Sequence, residues 1–151
     1  MVRAIQVAKL FLAWANEYGD VITNLKLQKL LYYAQAWHLV NYNRRRLFSD
    51  PIEAWDLGPV VPEIYRKWKR YGSSPIPYSS NGKEKAPFQG YQIDFLIEFF
   101  RVFSNLSATA LVSMSHSEAP WQNAHRRGKN SQISLSEMRD FYKKQYEEKH
   151  G

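Results

Sequence analysis

Apolar residues recur at three- and four-residue intervals along most of the chain, the spacing that keeps one helix face against a core. Ile5, Ala8, Leu12 and Ala15 predict a first amphipathic helix, with Phe11 widening the stripe and Gly19 placed to end it. Leu27, Leu30, Leu31, Ala34, Trp37 and His38 predict a second, opening at Thr23 or Asn24 as N-cap, and this helix is expected at the centre of the core. Ile93, Leu96, Ile97, Phe100 and Phe103 mark another core helix. Ser107 is expected to cap a short helix carrying Leu111 and Met114, and Ser117 a further one with Pro120 early in it and Gly128 at its end. Ser134 and Glu137 fit a capping box, with Ile133 and Met138 as its hydrophobic staple, before a last helix that turns Met138, Phe141, Tyr142 and Tyr146 toward the core.

Two stretches break the pattern. Residues 47–65 are apolar and aromatic but interrupted by Pro51, Gly58, Pro59 and Pro62. Proline fixes φ and biases the preceding residue toward extended backbone, so this stretch reads as a non-helical crossing between helices. Within it Ile52, Glu53, Ala54, Trp55, Asp56 and Leu57 alternate as a short strand would, and Pro62 suits the first position of a helix that closes at Gly72. Residues 73–89 hold Pro75, Pro77, Gly82 and Pro87, and are expected to form a flexible surface loop, with a hairpin reversal at Asn81 and Gly82 as its candidate structure. The predicted architecture is mainly α: a single compact multi-helix domain over residues 1–151, with a short extended arm or small β-hairpin.

Composition narrows the function classes. With 44% apolar and 23% charged residues the chain is globular in character, and the absence of cysteine removes disulfides, thiolate zinc sites and thiol nucleophiles. No signal peptide or membrane-spanning run of about 20 apolar residues is visible, so a cytoplasmic protein is expected. The net charge of +7 favours a polyanion or an acidic protein as partner. Basic clusters at Arg44, Arg45 and Arg46, at Arg66, Lys67, Lys69 and Arg70, and at Arg126, Arg127 and Lys129 raise a nucleic-acid reading. No helix-turn-helix or RNA-binding signature organises them, and solvated helix faces are the preferred explanation.

Signatures for dinucleotide or phosphate loops, nucleophile elbows and HExxH zinc helices are missing. The best candidate for metal or acid–base chemistry is His116 with Glu118 and, nine residues on, His125. The favoured alternative is structural, with Ser117 capping, Glu118 at the helix dipole and His116 in a hydrogen bond. Tyr32 and Tyr33 diverge by about 100° on a helix, so at least one is expected to leave the core face, and only the outward one is an interface candidate. Trp55, Gly58, Pro59 and Tyr65 allow a packing role, with Trp55 anchoring the arm, or an exposed edge that pairs with another chain. Trp121 is expected in the core.

Three groups of residues, in this order, resemble the SocA-like antitoxin or Panacea domain family and the related GepA-like phage-associated proteins. They are Leu27, Gln28, Lys29, Leu30, Leu31, Tyr32 and Tyr33; Ile52, Glu53, Ala54 and Trp55 with Gly58, Pro59, Val60 and Tyr65; and His116, Glu118, Pro120 and Trp121. The resemblance implies an antitoxin that neutralises a toxin encoded nearby, by direct protein contact or as an adaptor that delivers it to a protease. It implies no catalytic residue, metal or cofactor. Tyr33, Ile52, Trp55, Asp56, Gly58, Pro59, Val60 and Tyr65 are then the partner-binding candidates. Leu27, Lys29, Leu30, His116, Glu118, Pro120 and Trp121 form the structural motif.

Overall fold

In a computed structural model that describes residues 1–150, the chain is built around the helix that starts at Thr23. Thr23 Oγ1 accepts from the Lys26 N–H at 3.2 Å, and α2 spans Asn24–Asn41. It is buried on all sides rather than on one face, with Leu27, Leu30, Leu31, Tyr32, Tyr33 and Leu39 fully enclosed beside Gln28, Lys29, Gln35 and His38. The reason is its central place: α1 (Ala4–Glu17), α3 (Pro62–Trp68), α4 (Gly90–Phe103), α5 (Ala108–His116) and α7 (Leu135–His150) all pack against it. A helix with neighbours on every side loses the polar face that a surface helix keeps.

Termini of these helices follow local chemistry. α1 gives way at Gly19, which has φ +72°, and its first N–H, that of Ala4, is taken by Asp50 Oδ1 at 2.8 Å. Burial pushes the Asp50 carboxyl up, but the Arg3 guanidinium and the Ala4 N–H outweigh it and hold the group below the usual carboxylate range. Pro62 opens α3 as expected, and a 3-10 turn over Lys69–Tyr71 leads to Gly72 at φ +55°. In α4 the buried face is Gln92, Leu96, Phe99 and Phe100, and Ile97 lies 44% exposed, against its expected place in the core. Phe99 takes the inner position because it stacks on both Phe11 and Phe103.

Ser107 Oγ caps α5, accepting from Ala110 N. Ser117, expected as the cap of the next helix, instead terminates α5, and α6 (Ala119–Arg127) begins after Glu118 with Pro120 in its first turn. Ser134 Oγ accepts from Glu137 N ahead of α7, and both staple residues, Ile133 and Met138, are buried. Met138 and Tyr142 face the core from α7, but Tyr146 is 49% exposed.

The proline-interrupted arm forms a hairpin. β1 (Glu53–Trp55) runs antiparallel to β2 (Gly58–Val60) with pairs Glu53–Val60, Ala54–Pro59 and Trp55–Gly58, so Asp56 and Leu57 make the turn. The strand read over residues 52–57 is therefore shorter than expected, and the Gly-Pro-Val run read as a break is its partner. Ala54 donates its N–H outward to Ser131 O at 2.8 Å, so the Ala54–Pro59 pair exchanges no ladder bond and the missing proline N–H costs nothing there.

Residues 73–89 contain no helix, and no strand pairs across Asn81 and Gly82 among the described residues. The segment is tied to Ile22 O through Ile76 N, buries Ile76 and Phe88, and gathers Tyr78, Ser80 and the Asn81 N–H on the Glu84 carboxylate. Although burial opposes it, those hydrogen bonds hold the Glu84 carboxyl down at about 2. Among the described residues no single helix is long and apolar enough to cross a membrane.

Candidate interaction site

An extended segment between helices leaves backbone groups that no regular ladder satisfies, and each buried one needs a partner. Here α2 supplies them with side chains. Asn24 Nδ2 donates to Tyr65 O at 3.0 Å, Gln28 Oε1 accepts from Val61 N at 2.8 Å, and Lys29 Nζ donates to Pro59 O at 3.0 Å. Further along, Gln35 accepts from Leu47 N at 2.7 Å and donates to Phe48 O at 2.8 Å, and the His38 ring donates through Nδ1 to Arg45 O at 2.7 Å. These polar residues of α2 bind the crossing segment at intervals from residue 45 to residue 65.

Lys29 is the most unusual of them. Its side chain is 0% exposed, and burial alone pulls the ammonium pKa from 10.5 to about 7. Gly58 lies directly on it: a Cβ at that position would come within 2.7 Å of Lys29 Cε and 2.9 Å of Ser115 Oγ. The glycine is thus required both by its φ of +107° and by close packing.

The turn of the hairpin is held from the other side. His116 Nε2 bonds Asp56 O at 2.9 Å, and because a carbonyl only accepts, this nitrogen carries the proton. His125 Nε2 bonds Asp56 Oδ1 at 3.0 Å, and that hydrogen bond is the main reason the Asp56 carboxyl is lowered. The Trp121 ring sits between the two imidazoles, at 4.2 and 4.5 Å, and its Nε1–H donates to Trp55 O at 2.8 Å. Trp121 is thus a half-buried clamp on the hairpin that packs against the core, as expected, without being enclosed by it.

Glu118 points away from His116 into the interior. Its Oε1 accepts from Tyr33 at 2.6 Å and from Tyr142 at 2.7 Å. Since Tyr142 spends its proton on Glu118, Tyr32 donates to the Tyr142 oxygen at 3.0 Å. Burial raises the Glu118 pKa, with the tyrosine hydrogen bonds only partly offsetting it, and raises those of Tyr32, Tyr33 and Tyr142 as well. Tyr32 and Tyr33 are therefore both inside, and neither is presented outward as expected for one of them. Among the described residues no three His, Asp or Glu side chains gather as metal ligands.

Of the partner-binding candidates, Tyr33, Ile52, Gly58, Pro59 and Val60 are buried, whereas Trp55 and Tyr65 are half-buried and Asp56 is exposed. Trp55 and Tyr65 meet edge to face at 5.1 Å. Leu57, which sequence reasoning left out of that set, is 59% exposed at the tip. Among the described residues the hairpin offers no free edge: Ser131 O and Ile133 N bond β1 and the residue before it, while Lys29 and Gln28 bond β2 and the residue after it. Alongside the tip runs a mostly apolar groove of about 520 Å³, lined by Leu25, Trp55, Leu57, Tyr65, Lys69 and Lys129 among others.

Residues 27–122, from the first buried leucine of α2 to the residue after Trp121, match the antitoxin SocA-like, Panacea domain model. The chain belongs to this antitoxin family. Antitoxin SocA of Caulobacter vibrioides (strain NA1000 / CB15N) is 35% identical to it over 130 residues, covering 80% of this chain and 69% of that protein. No solved structure matches. Membership in the SocA-like family gives the chain a role in a toxin–antitoxin pair, with a toxin as partner, and points to a non-enzymatic protein. The matched span of this SocA-like chain holds the hairpin, Lys29, Glu118 and the His116–Trp121 clamp, while Tyr142 of α7 completes the buried cluster from outside it.

Proposed function

We propose that this antitoxin, acting in the cytoplasm with residues 1–151 as one domain, neutralises the toxin encoded beside it by direct protein–protein contact. The contact surface is the hairpin tip, with Trp55, Asp56, Leu57 and Tyr65 touching the toxin and Gly58, Pro59, Val60, Ile52 and Tyr33 holding them in place. The observation that carries this reading is an exposed leucine on a turn fixed by three aromatic side chains and a buried lysine. A large apolar side chain on a rigid turn suits a recognition anchor, because little conformational freedom is lost on binding.

The test is coexpression with the adjacent gene product, scoring growth and copurification. Wild type is expected to rescue growth and to form a stable complex. Leu57→Asp, at an exposed position, is expected to keep thermal stability within about 0.5 kcal/mol of wild type and to lose the complex. A Leu57→Asp protein that still copurifies and protects fully refutes the tip as contact surface. Rescue accompanied by disappearance of the toxin, without a stable complex, would instead identify delivery to a protease.

A further inference from the structure

Two basic clusters that are far apart in the chain meet at the groove beside the hairpin. Lys69, from the 3-10 turn after α3, and Lys129, from the loop after α6, both line it and both are exposed. Among the described residues neither takes part in an ion pair within 4.0 Å. The groove is mostly apolar, with Leu25, Trp55, Leu57 and Tyr65 in its lining. Beneath them lies the enclosed Lys29 amine, whose one hydrogen-bond partner is Pro59 O. Asp56 is the acidic side chain that lines the groove, and it is already bonded to His125.

Resting on the direct-contact reading above, we infer that this groove seats a short acidic segment of the toxin, an apolar side chain against the apolar lining with carboxylates reaching Lys69 and Lys129. Charge complementarity selects the occupant: Lys69 and Lys129 line the groove with no ion pair within 4.0 Å among the described residues, Asp56 beside Lys129 is already bonded to His125, and in a chain of net charge +7 the two lysines favour carboxylates on whatever fills the apolar part. Strand addition is excluded as the mode, since both edges of the hairpin are occupied and Pro59 has no N–H to offer. Recognition is therefore by side chains. A nucleic-acid backbone fits less well, because phosphate binding draws on a row of cations along an open surface, whereas this groove is lined mostly by apolar surface with two exposed lysines.

The experiment compares binding of the full-length antitoxin to the purified toxin at fixed salt for three proteins: wild type, Lys69→Glu/Lys129→Glu, and Lys144→Glu/Lys149→Glu. The last carries the same change in net charge on exposed residues of α7 that do not line the groove. The groove pair is expected to bind at least tenfold more weakly and the α7 pair within threefold of wild type. A photoreactive residue in place of Leu57 is expected to crosslink to a toxin segment that contains Asp or Glu beside an apolar residue. Equal binding by both charge variants, an equal loss in both, or a crosslinked segment without carboxylates overturns the inference while leaving direct contact standing. Failure of wild type to bind the toxin overturns both. Should the groove pair lose affinity for a 20-nucleotide single strand but not for the toxin, the groove is a nucleic-acid site and the inference falls.

Discussion

Gly58→Ala isolates the packing on which the hairpin depends. Two costs act together. Alanine at φ +107° is held outside the regions open to an L residue, a strain of about 1–3 kcal/mol. The new methyl also meets Lys29 Cε at 2.7 Å and Ser115 Oγ at 2.9 Å, where ordinary contacts begin at 3.4 Å. Lys29 cannot simply swing aside, because it is fully enclosed and its ammonium is bonded to Pro59 O. Overpacking of this kind costs about 1–3 kcal/mol. Against these, alanine stiffens the unfolded chain and returns about 0.4–1 kcal/mol. The net expectation is a loss of about 1–5 kcal/mol, a large part of the 5–15 kcal/mol typical of such domains.

Urea denaturation followed by circular dichroism reads this directly, with the midpoint falling and the slope unchanged. Adding Ser115→Ala removes the oxygen contact but not the backbone strain or the Lys29 overlap, so the double variant is expected to recover less than half of the loss. Neutralisation should fall with the amount of folded antitoxin, and return at lower growth temperature. A Gly58→Ala protein within about 0.5 kcal/mol of wild type would refute the assignment of Gly58 as a packing position.

Lys29→Met tests the buried amine by its pH dependence. In the folded protein the amine titrates near 7 and in the unfolded chain near 10.5, so between those values the unfolded state alone holds the proton, and this group makes stability rise with pH. The urea midpoint of wild type should therefore gain on that of Lys29→Met as pH goes from 7 to 9.5, and parallel curves would refute the buried-charge reading. Glu118→Ala leaves the Tyr33 and Tyr142 hydroxyls without their acceptor and is expected to cost about 2–5 kcal/mol, while Glu118→Gln keeps a carbonyl there and should cost less than half of that by the same denaturation assay. Because burial raises the Glu118 pKa, the folded state holds its proton longer than the unfolded one, and stability should decline as pH climbs above 4.5; Glu118→Gln removes that decline.

Several helix ends were legible because each is decided by one or two neighbours: Thr23, Ser107 and Ser134 cap, Pro62 opens, and Gly19 and Gly72 close, whereas Ser117 ends α5 instead of capping α6. The crossing at residues 47–65 was legible for the same local reason, since prolines exclude helix whatever surrounds them. What α2 does with its polar residues was not. Gln28, Lys29 and Gln35 lie off the apolar stripe, and polar residues on a helix ordinarily mean the solvent side. Their partners lie across a connection whose path the local pattern does not specify. Glu118 likewise reads as a favourable charge at a helix start, and its bond to Tyr142 depends on where α7 comes to rest.

One signal was nonetheless present. A stretch of mostly apolar residues that can be neither helix nor long strand must bury its backbone, and buried N–H and C=O groups require donors and acceptors from elsewhere. A central helix that carries Asn24, Gln28, Lys29, Gln35 and His38 among leucines and tyrosines supplies them at matching intervals. The two oddities of the sequence, a proline-rich apolar arm and a core helix with too many polar residues, are halves of one arrangement. It also explains why so little of the arm reaches the surface: Ile52, Gly58, Pro59 and Val60 are buried in the attachment, and the proposed contact falls to Trp55, Asp56, Leu57 and Tyr65, which line the groove. The contact proposed at Leu57 can change without disturbing the stitches beneath, because the bonds from Asn24, Gln28 and Lys29 run to the arm's backbone at Tyr65, Val61 and Pro59.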